Sequence, residues 1–387
     1  MNATASTAPS TALSDLRFEV RYRIRGASAS FAAEAAAAIA LEQSVEVPLD
    51  AIFDPAVRER IVGRVLSVEP AGAGLYETRI ALAVDTTGHD VAQTLNMLFG
   101  NSSMHAHVEL LDADLPEALV KACGGPRFGV EGLRKLTGAH GRPLTCTALK
   151  PQGLPVSELA RICYVFAAAG VDVIKDDHGI ADQHYSPFAE RVAACQQAIR
   201  RAARETGRTA LYAPSLVGSP KALYARAKIL REEGVGAALV APGLVGIPVF
   251  QELVAEHLQV PVLAHPSYAG TVRVAPAFIL GKLFRLLGAD ATIYAHYAGR
   301  FAYSQAECAS IAEAARVPWP GVRPCLPVPA GGMTVDRVGE LVKFCGVDSM
   351  LLIGGSLLRA GAALPERTRE FVRAVAASAS IAQGEAA

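Results

Sequence analysis

The sequence predicts an α/β protein: a (β/α)8 TIM barrel preceded by a small α+β domain. Three observations carry this. Strands mixed with two helices occupy roughly the first 110 residues, the composition of a split-βαβ unit. After Pro126 short apolar runs recur, separated by amphipathic helical stretches, and there are eight of them over about 250 residues, the size of a barrel. Residues expected to do chemistry gather where those runs end. A doubly wound sheet shows the same alternation but with fewer strands.

The elements follow in order. Met1 to Asp15 has neither early positive charge nor an apolar core, so it reads as a disordered arm and not a secretory signal. Residues 16–125 form the first domain. Phe18, Val20, Tyr22 and Ile24 alternate with charged residues, the pattern of a half-buried antiparallel strand. The alanine-rich stretch Ser28 to Leu41 has near-maximal helix propensity. Two strand-like pieces flank the Pro70–Gly74 turn, and a helix over Val91–Leu98 and a strand over Ala106–Leu111 close the domain. Residues 126–375 form the barrel. Its strands end at Lys150, Asp177, Leu216, Pro242, Pro266, His296, Gly332 and Ser356, with helices such as Val156–Ala169, Phe188–Thr206, Ala222–Glu233 and Val335–Cys345 between them. The apolar run Gly234–Phe250 is interrupted by glycines and prolines and reads as a buried strand and loop, not a membrane span. Residues 376–387 read as a flexible tail.

Composition removes several function classes. Lys+Arg and Asp+Glu both number 37, so the chain lacks the basic surplus that nucleic acid or an anionic membrane would require. Seven cysteines are scattered with no C-x-x-C pair, which points away from a disulfide framework or zinc ribbon and toward a reduced cytoplasm.

In barrels of this type chemistry collects at the C-terminal strand ends. Those ends carry Lys150, then Lys175, Asp176, Asp177 and His178, then His265, His296, Gly331, Gly332, Gly354 and Gly355. Strand alternation sends Lys175 and Asp177 to one face and Asp176 to the other. A carboxylate and a neutral imidazole suit a divalent cation. A lysine beside them repels it unless CO2 converts the amine to a carbamate. A structural ion pair with a surface histidine is the plainer alternative. Two glycine pairs after strands seven and eight let backbone N–H groups approach an anion, so a phosphate ester is the expected ligand.

The motifs in which these residues stand resemble the RuBisCO large-subunit superfamily from about Arg17 to Gly361. TALKPQGLP resembles its KPK segment and GVDVIKDDHG its GxDxxKDDE metal motif. VLAHPSYAG is similar to HRAMH, PVPAGGM to the SGG loop and LLIGGSL to the GGG phosphate loop. LFGNSS resembles the N-domain asparagine segment, and AAAIALEQS the acidic stretch that reaches a partner's active site. The resemblance implies a ferredoxin-like N-domain before the barrel. It also implies a homodimer or higher homo-oligomer with shared sites, a phosphorylated small-molecule substrate, and Mg2+ held by carbamylated Lys175 with Asp177 and His178. Lys150 would exchange a proton with an enolate, and His265 would contact a substrate hydroxyl. Gly331, Gly332, Gly354, Gly355 and Arg300 would bind substrate and phosphate, with Glu42 and Asn101 arriving from the partner subunit.

The departures also carry information. Gln152 stands for the second lysine of KPK, Pro266 for the arginine of HRAMH, Ala330 for the serine of SGG, His178 for the metal-motif glutamate and Arg300 for the mobile-loop lysine. Donors to a second phosphate and to a newly added carboxylate are thereby lost. Carboxylation of ribulose bisphosphate is not expected; a RuBisCO-like protein with a singly phosphorylated substrate is. Among its possible reactions, decarboxylation of a keto-sugar acid stands first, because a neutral His178 ligand makes the metal more electrophilic. Isomerisation or enolisation of a methylthio-sugar phosphate stands second. A Schiff-base aldolase using Lys150 or Lys175 and a non-catalytic binding protein are the remaining alternatives.

Overall fold

A computed structural model describes residues 13–384 except 298 and 302. The chain forms two compact units. One extends to Ala122 and takes in Arg273–Ala275; the other comprises Cys123–Val272 and the chain from Pro276 onward. The boundary lies three residues before the expected one, and the return of a short barrel segment to the first unit was not foreseen.

The first unit is a four-stranded antiparallel sheet of order β2-β3-β1-β4, with β1 Arg17–Arg25, β2 Arg64–Pro70, β3 Leu75–Ala83 and β4 Val108–Asp114. With the helices Ala29–Glu42 and Val91–Phe99 this is the ferredoxin-like arrangement. The alternation in β1 is realised directly: Phe18, Val20, Tyr22 and Ile24 are buried. On the opposite face Arg23 pairs with Glu77 and Glu109, and Arg21 with Asp112, the residues opposite them in the register. Apolar burial and cross-strand charge thus specify the same pairing. The helix Ala29–Glu42 starts where Ser28 accepts a hydrogen bond from the Phe31 N–H, and lays Ala32, Ala36, Ile39 and Ala40 on the sheet. Arg273–Ala275 joins the edge strand: Leu110 donates to the Arg273 carbonyl and Ala275 to the Leu110 carbonyl.

Residues 1–12 of the expected arm lie outside the described residues. The remainder is tethered, with the Ser14 N–H bonded to Asp85 and Asp15 paired with Arg60.

The second unit is the barrel. Its parallel strands run β5 Leu144–Leu149, β6 Val173–Asp176, β7 Leu211–Ala213, β8 Ser215–Leu216, β9 Ala238–Val240, β10 Val262–Ala264, β11 Ala291–Ala295, β12 Leu326–Ala330 and β13 Met350–Leu352. Hydrogen-bonded order is β13-β5-β6-β7 and β8-β9-β10-β11-β12. β7 and β8 are one strand interrupted at Pro214, which has no N–H to give the ladder; its carbonyl still accepts from Leu239. β12 packs beside β13 and closes the ring of eight. Inside, alternate residues build one core: Leu144 and Cys146, Val173, Leu211 and Ala213, Leu239, Leu263, Ala291 and Ile293, Leu326 and Val328, Met350 and Leu352.

Two expectations are corrected. Regular helices do not fill every gap: after β9 the chain forms only Pro242–Val245 and Ile247–Glu252 before a widened turn at Leu253–His257, and Gly246 at φ +92° interrupts the first two, with Pro242 and Pro248 in their first turns. A second widened stretch, Ala277–Leu283, precedes β11, where Thr292 Oγ1 donates to the Leu280 carbonyl. The tail is also not uniformly loose. The last helix runs Leu364–Gly384, past the expected limit at 375, its alanines favouring helix.

Six of the seven cysteines are buried and all are free thiols. Among the described residues no helix is long and apolar enough to cross a membrane.

Candidate active site

The inward alternation of the barrel leads, one step beyond its apolar core, to the chemistry. Continuing Leu144, Cys146 and Ala148 gives Lys150; continuing Val173 gives Lys175 and then Asp177; continuing Leu263 gives His265; continuing Met350 and Leu352 gives Gly354. Polar groups therefore share one end of the barrel because strands of fixed parity all stop there.

Lys150 Nζ lies 2.7 Å from Asp177 Oδ1. Burial by itself would raise the Asp177 pKa. Hydrogen bonds from His178 and Lys150, together with the charges of Lys150 and Lys175, outweigh it and hold the carboxyl well below the ordinary carboxylate range. Lys175 is 3% exposed and donates to the Asp176 carbonyl at 2.9 Å. Its burial lowers its pKa and favours the neutral amine. His178 Nδ1 stands 3.4 Å from Asp177 Oδ1, and its ring stacks on His265 at 4.4 Å and 17°. Burial, then the Lys175 charge, pushes the His265 pKa down to about 2, so that imidazole is neutral.

Asp176 points the other way, as alternation requires. It is fully buried, meets Arg191 Nε at 3.1 Å, and accepts from the Tyr212 hydroxyl at 2.8 Å and the Ser215 N–H at 3.1 Å. This network clamps β6 to its neighbours from behind. His296, expected on the same rim, belongs to the outward series of Thr292 and Tyr294. Its ring packs on Tyr297 and Phe344, away from the inward lysines.

The glycines divide into two kinds. Gly331 and Gly332 have φ of +97° and +110° and lie against the Gly299–Arg300 segment. The Arg300 N–H donates to the Gly331 carbonyl at 2.7 Å, and a Cβ on Gly299 would stand 2.1 Å from that same oxygen. Close backbone approach thus requires Gly299, which sequence reasoning missed. The Arg300 side chain is exposed, with its guanidinium 5.1 Å from the Phe301 ring centre. Gly354 sits beside Lys150, a Cβ there being 3.9 Å from Lys150 Cε, while Gly355 faces open space. Gln152 lies across Gly179: a Cβ there would stand 1.9 Å from Gln152 Nε2, the movable end of an exposed side chain.

In the first unit Asn101 Nδ2 donates to Glu42 Oε1 at 2.8 Å and to Glu46 Oε1 at 3.0 Å. Glu42 and Asn101 are therefore one cluster, and Glu46 is an addition to it. Ser267 was also missed: its hydroxyl lies 2.8 Å from His265 Nδ1. The signal was present, since serines two residues from a polar group commonly close such local bonds.

The donor set tests a bound cation directly. As free amines and acids the inward face offers one carboxylate, the two imidazoles of His178 and His265, and two lysines, which do not fit a hard divalent ion. A carbamate on the Lys175 amine, whose pKa burial lowers, would supply the missing anionic oxygens, and with it Lys175, Asp177 and His178 would fit.

Residues 129–363 match the family model described as ribulose bisphosphate carboxylase large chain, catalytic domain. The chain is 49% identical over 360 residues to ribulose bisphosphate carboxylase-like protein 1 of Rhodopseudomonas palustris, covering 93% of this chain and 98% of that one. It is 47% identical over 365 residues to the 5-methylthioribulose-1-phosphate isomerase of Rhodospirillum rubrum, covering 94% and 97%. To the 2,3-diketo-5-methylthiopentyl-1-phosphate enolase of Bacillus pumilus it is 31% identical over 298 residues, covering 74% and 73%. A crystal structure of a Rubisco-like protein from Rhodopseudomonas palustris superimposes with a TM-score of 0.87 at 46% identity, covering 93% and 97%.

Proposed function

The chain belongs to the ribulose bisphosphate carboxylase large-chain family as a RuBisCO-like protein, and from that premise we propose that it isomerises a methylthio-sugar phosphate of the 5-methylthioribulose 1-phosphate class. The observation that carries this reading is Lys150 held at 2.7 Å from an ionised Asp177 on the inward face. Decarboxylation of a β-keto acid needs only an electron sink. Moving a proton between carbons needs a base poised at the substrate, and Lys150 would supply it as its free amine. The end-to-end similarity to the Rhodospirillum rubrum isomerase supports the same order, so isomerisation takes precedence over the decarboxylation first expected.

Lys150 takes and returns the proton at Nζ, with Asp177 fixing that amine against the inward wall. Lys175 as its carbamate, Asp177 and His178 would hold Mg2+, which when bound supplies Lewis-acid stabilisation of developing negative charge on oxygen. His265 meets a substrate oxygen. The backbone at Gly354 and Gly355, beside Lys150, and at Gly331 and Gly332 binds the single phosphate, with Arg300 at the mouth. Glu42 and Asn101 complete the site from a partner subunit in a homodimer or larger assembly.

The test is turnover in D2O of 5-methylthioribulose 1-phosphate and, in parallel, of phosphorylated β-keto sugar acids. Each is run with Mg2+ and bicarbonate, and again with EDTA. Isomerisation that requires metal, incorporates deuterium and disappears in Lys175→Ala is the expected result. CO2 release from the keto acids without isomerisation would replace this reading with decarboxylation. Activity indifferent to EDTA and trapped by borohydride would replace it with a Schiff base.

A further inference from the structure

His265 lies on the inward face, and its ring plane is set by the stack on His178. What determines which of its two nitrogens carries the proton is Ser267. Two groups of that serine converge on Nδ1: the main-chain N–H at 3.2 Å and the hydroxyl oxygen at 2.8 Å. A main-chain N–H can only donate, so Nδ1 must accept and cannot hold the proton. The hydroxyl, facing the same lone pair, must then donate as well. The neutral ring keeps its one proton on Nε2. The serine is itself held by the turn Pro266–Ala269, closed by the Ala269 N–H to the Pro266 carbonyl at 3.0 Å, in which Tyr268 adopts a left-handed φ of +71°. A solvent-facing turn with no task would not need to hold an exposed tyrosine in that conformation.

We propose that Ser267 is a positioning residue that locks His265 in the Nε2–H tautomer, so that the ring offers a substrate oxygen a hydrogen-bond donor and is neither a metal ligand nor a base. His178 supplies the contrast. Its Nδ1 faces an Asp177 oxygen at 3.4 Å, a partner that can only accept, whereas Nδ1 of His265 faces donors. Two stacked imidazoles thus turn their Nδ1 atoms to partners of opposite kind. The kinetic part of the proposal rests on the functional reading above; the tautomer does not.

The test uses the full chain labelled with 15N at its nine histidines, in a long-range proton–nitrogen correlation experiment at neutral pH, with and without Mg2+. His265→Gln assigns the His265 signals by their loss. The expected wild-type pattern is an unprotonated Nδ1 and a protonated Nε2 at His265. Ser267→Ala should move both signals toward a mixture of tautomers, and Ser267→Thr should restore them. In turnover of the methylthio-sugar phosphate, Ser267→Ala should lower kcat by about fivefold, the value of one well-placed hydrogen bond, with KM less affected and Ser267→Thr recovering the rate. A protonated Nδ1 in the wild-type protein overturns the proposal. So does a Ser267→Ala protein with unchanged nitrogen shifts and unchanged kcat. If Ser267→Ala does not fold, the wild-type spectrum and Ser267→Thr still decide. If the substrate is not turned over at all, the functional reading falls while the spectrum settles the tautomer independently.

Discussion

Replacing Asp177 by asparagine removes the one carboxylate of the inward face while keeping its shape. The cost to stability follows from exposure. The Asp177 side chain is 11% exposed and that of Lys150 31%, at 2.7 Å. Breaking a fully buried pair costs ~3–5 kcal/mol and an exposed one under ~1, so this intermediate pair should lose about 1–2 kcal/mol. For a unit of this size that corresponds to a fall in Tm of roughly 2–8 °C. The cost to turnover is much larger, because the lysine loses the anion that fixes it and the proposed cation site loses a ligand; a loss of about 10²–10⁴-fold is expected. A double-mutant cycle with Lys150→Met, read by thermal unfolding and by deuterium incorporation, isolates the pair. The two substitutions should couple by about 1 kcal/mol in stability and be strongly non-additive in rate. Additive effects, or an Asp177→Asn protein within about tenfold of wild-type turnover, would refute the assignment of Lys150 and Asp177 as one proton-handling unit.

Three further outcomes are expected. Asp176→Asn leaves the fully buried Arg191 without its anion and should cost ~3–5 kcal/mol, measured by denaturant unfolding; a loss under ~1 kcal/mol would mean the network behind β6 carries no stability. His265 and His296 have folded pKa values near 2 and 4, below the ordinary ~6.5. As pH falls below about 6.5 the unfolded chain binds protons that the folded chain refuses, so stability should decline by up to ~1.4 kcal/mol per pH unit for each group. His265→Gln should flatten that decline between pH 6.5 and 4, and an unchanged slope in equilibrium unfolding would contradict the burial argument. Gly355 faces open space, so Gly355→Ala should leave Tm nearly unchanged yet raise KM for a phosphorylated substrate by about tenfold, as a methyl group intrudes on the anion; an unchanged KM would remove Gly355 from the phosphate site.

Much of this was legible along the chain because its signals are local. Alternation in β1 and apolar runs from Leu144 onward follow from the period of two that any strand imposes. The same parity carries Lys150, Lys175 and Asp177 to one face without reference to any other part of the molecule. Parity also separates His265 from His296, although motif and strand end alone had placed both on the rim. The helix that continues to Gly384 shows the opposite case, in which alanine propensity outweighed the look of a polar tail.

By itself, then, the sequence determined the two-part α/β architecture, the strand faces and the set of groups available for chemistry, since each depends on neighbours a few residues away. Only the tertiary structure decided which of those groups meet: Lys150 with Asp177 across β5 and β6, Asp176 with Arg191 and Tyr212 behind them, His178 upon His265, Asn101 with Glu42, and the backbone of Gly299 against Gly331. These are contacts between strands and loops distant in sequence. Their geometry is set by ring closure, strand register and turn conformation, none of which is encoded in the spacing of the residues that finally touch.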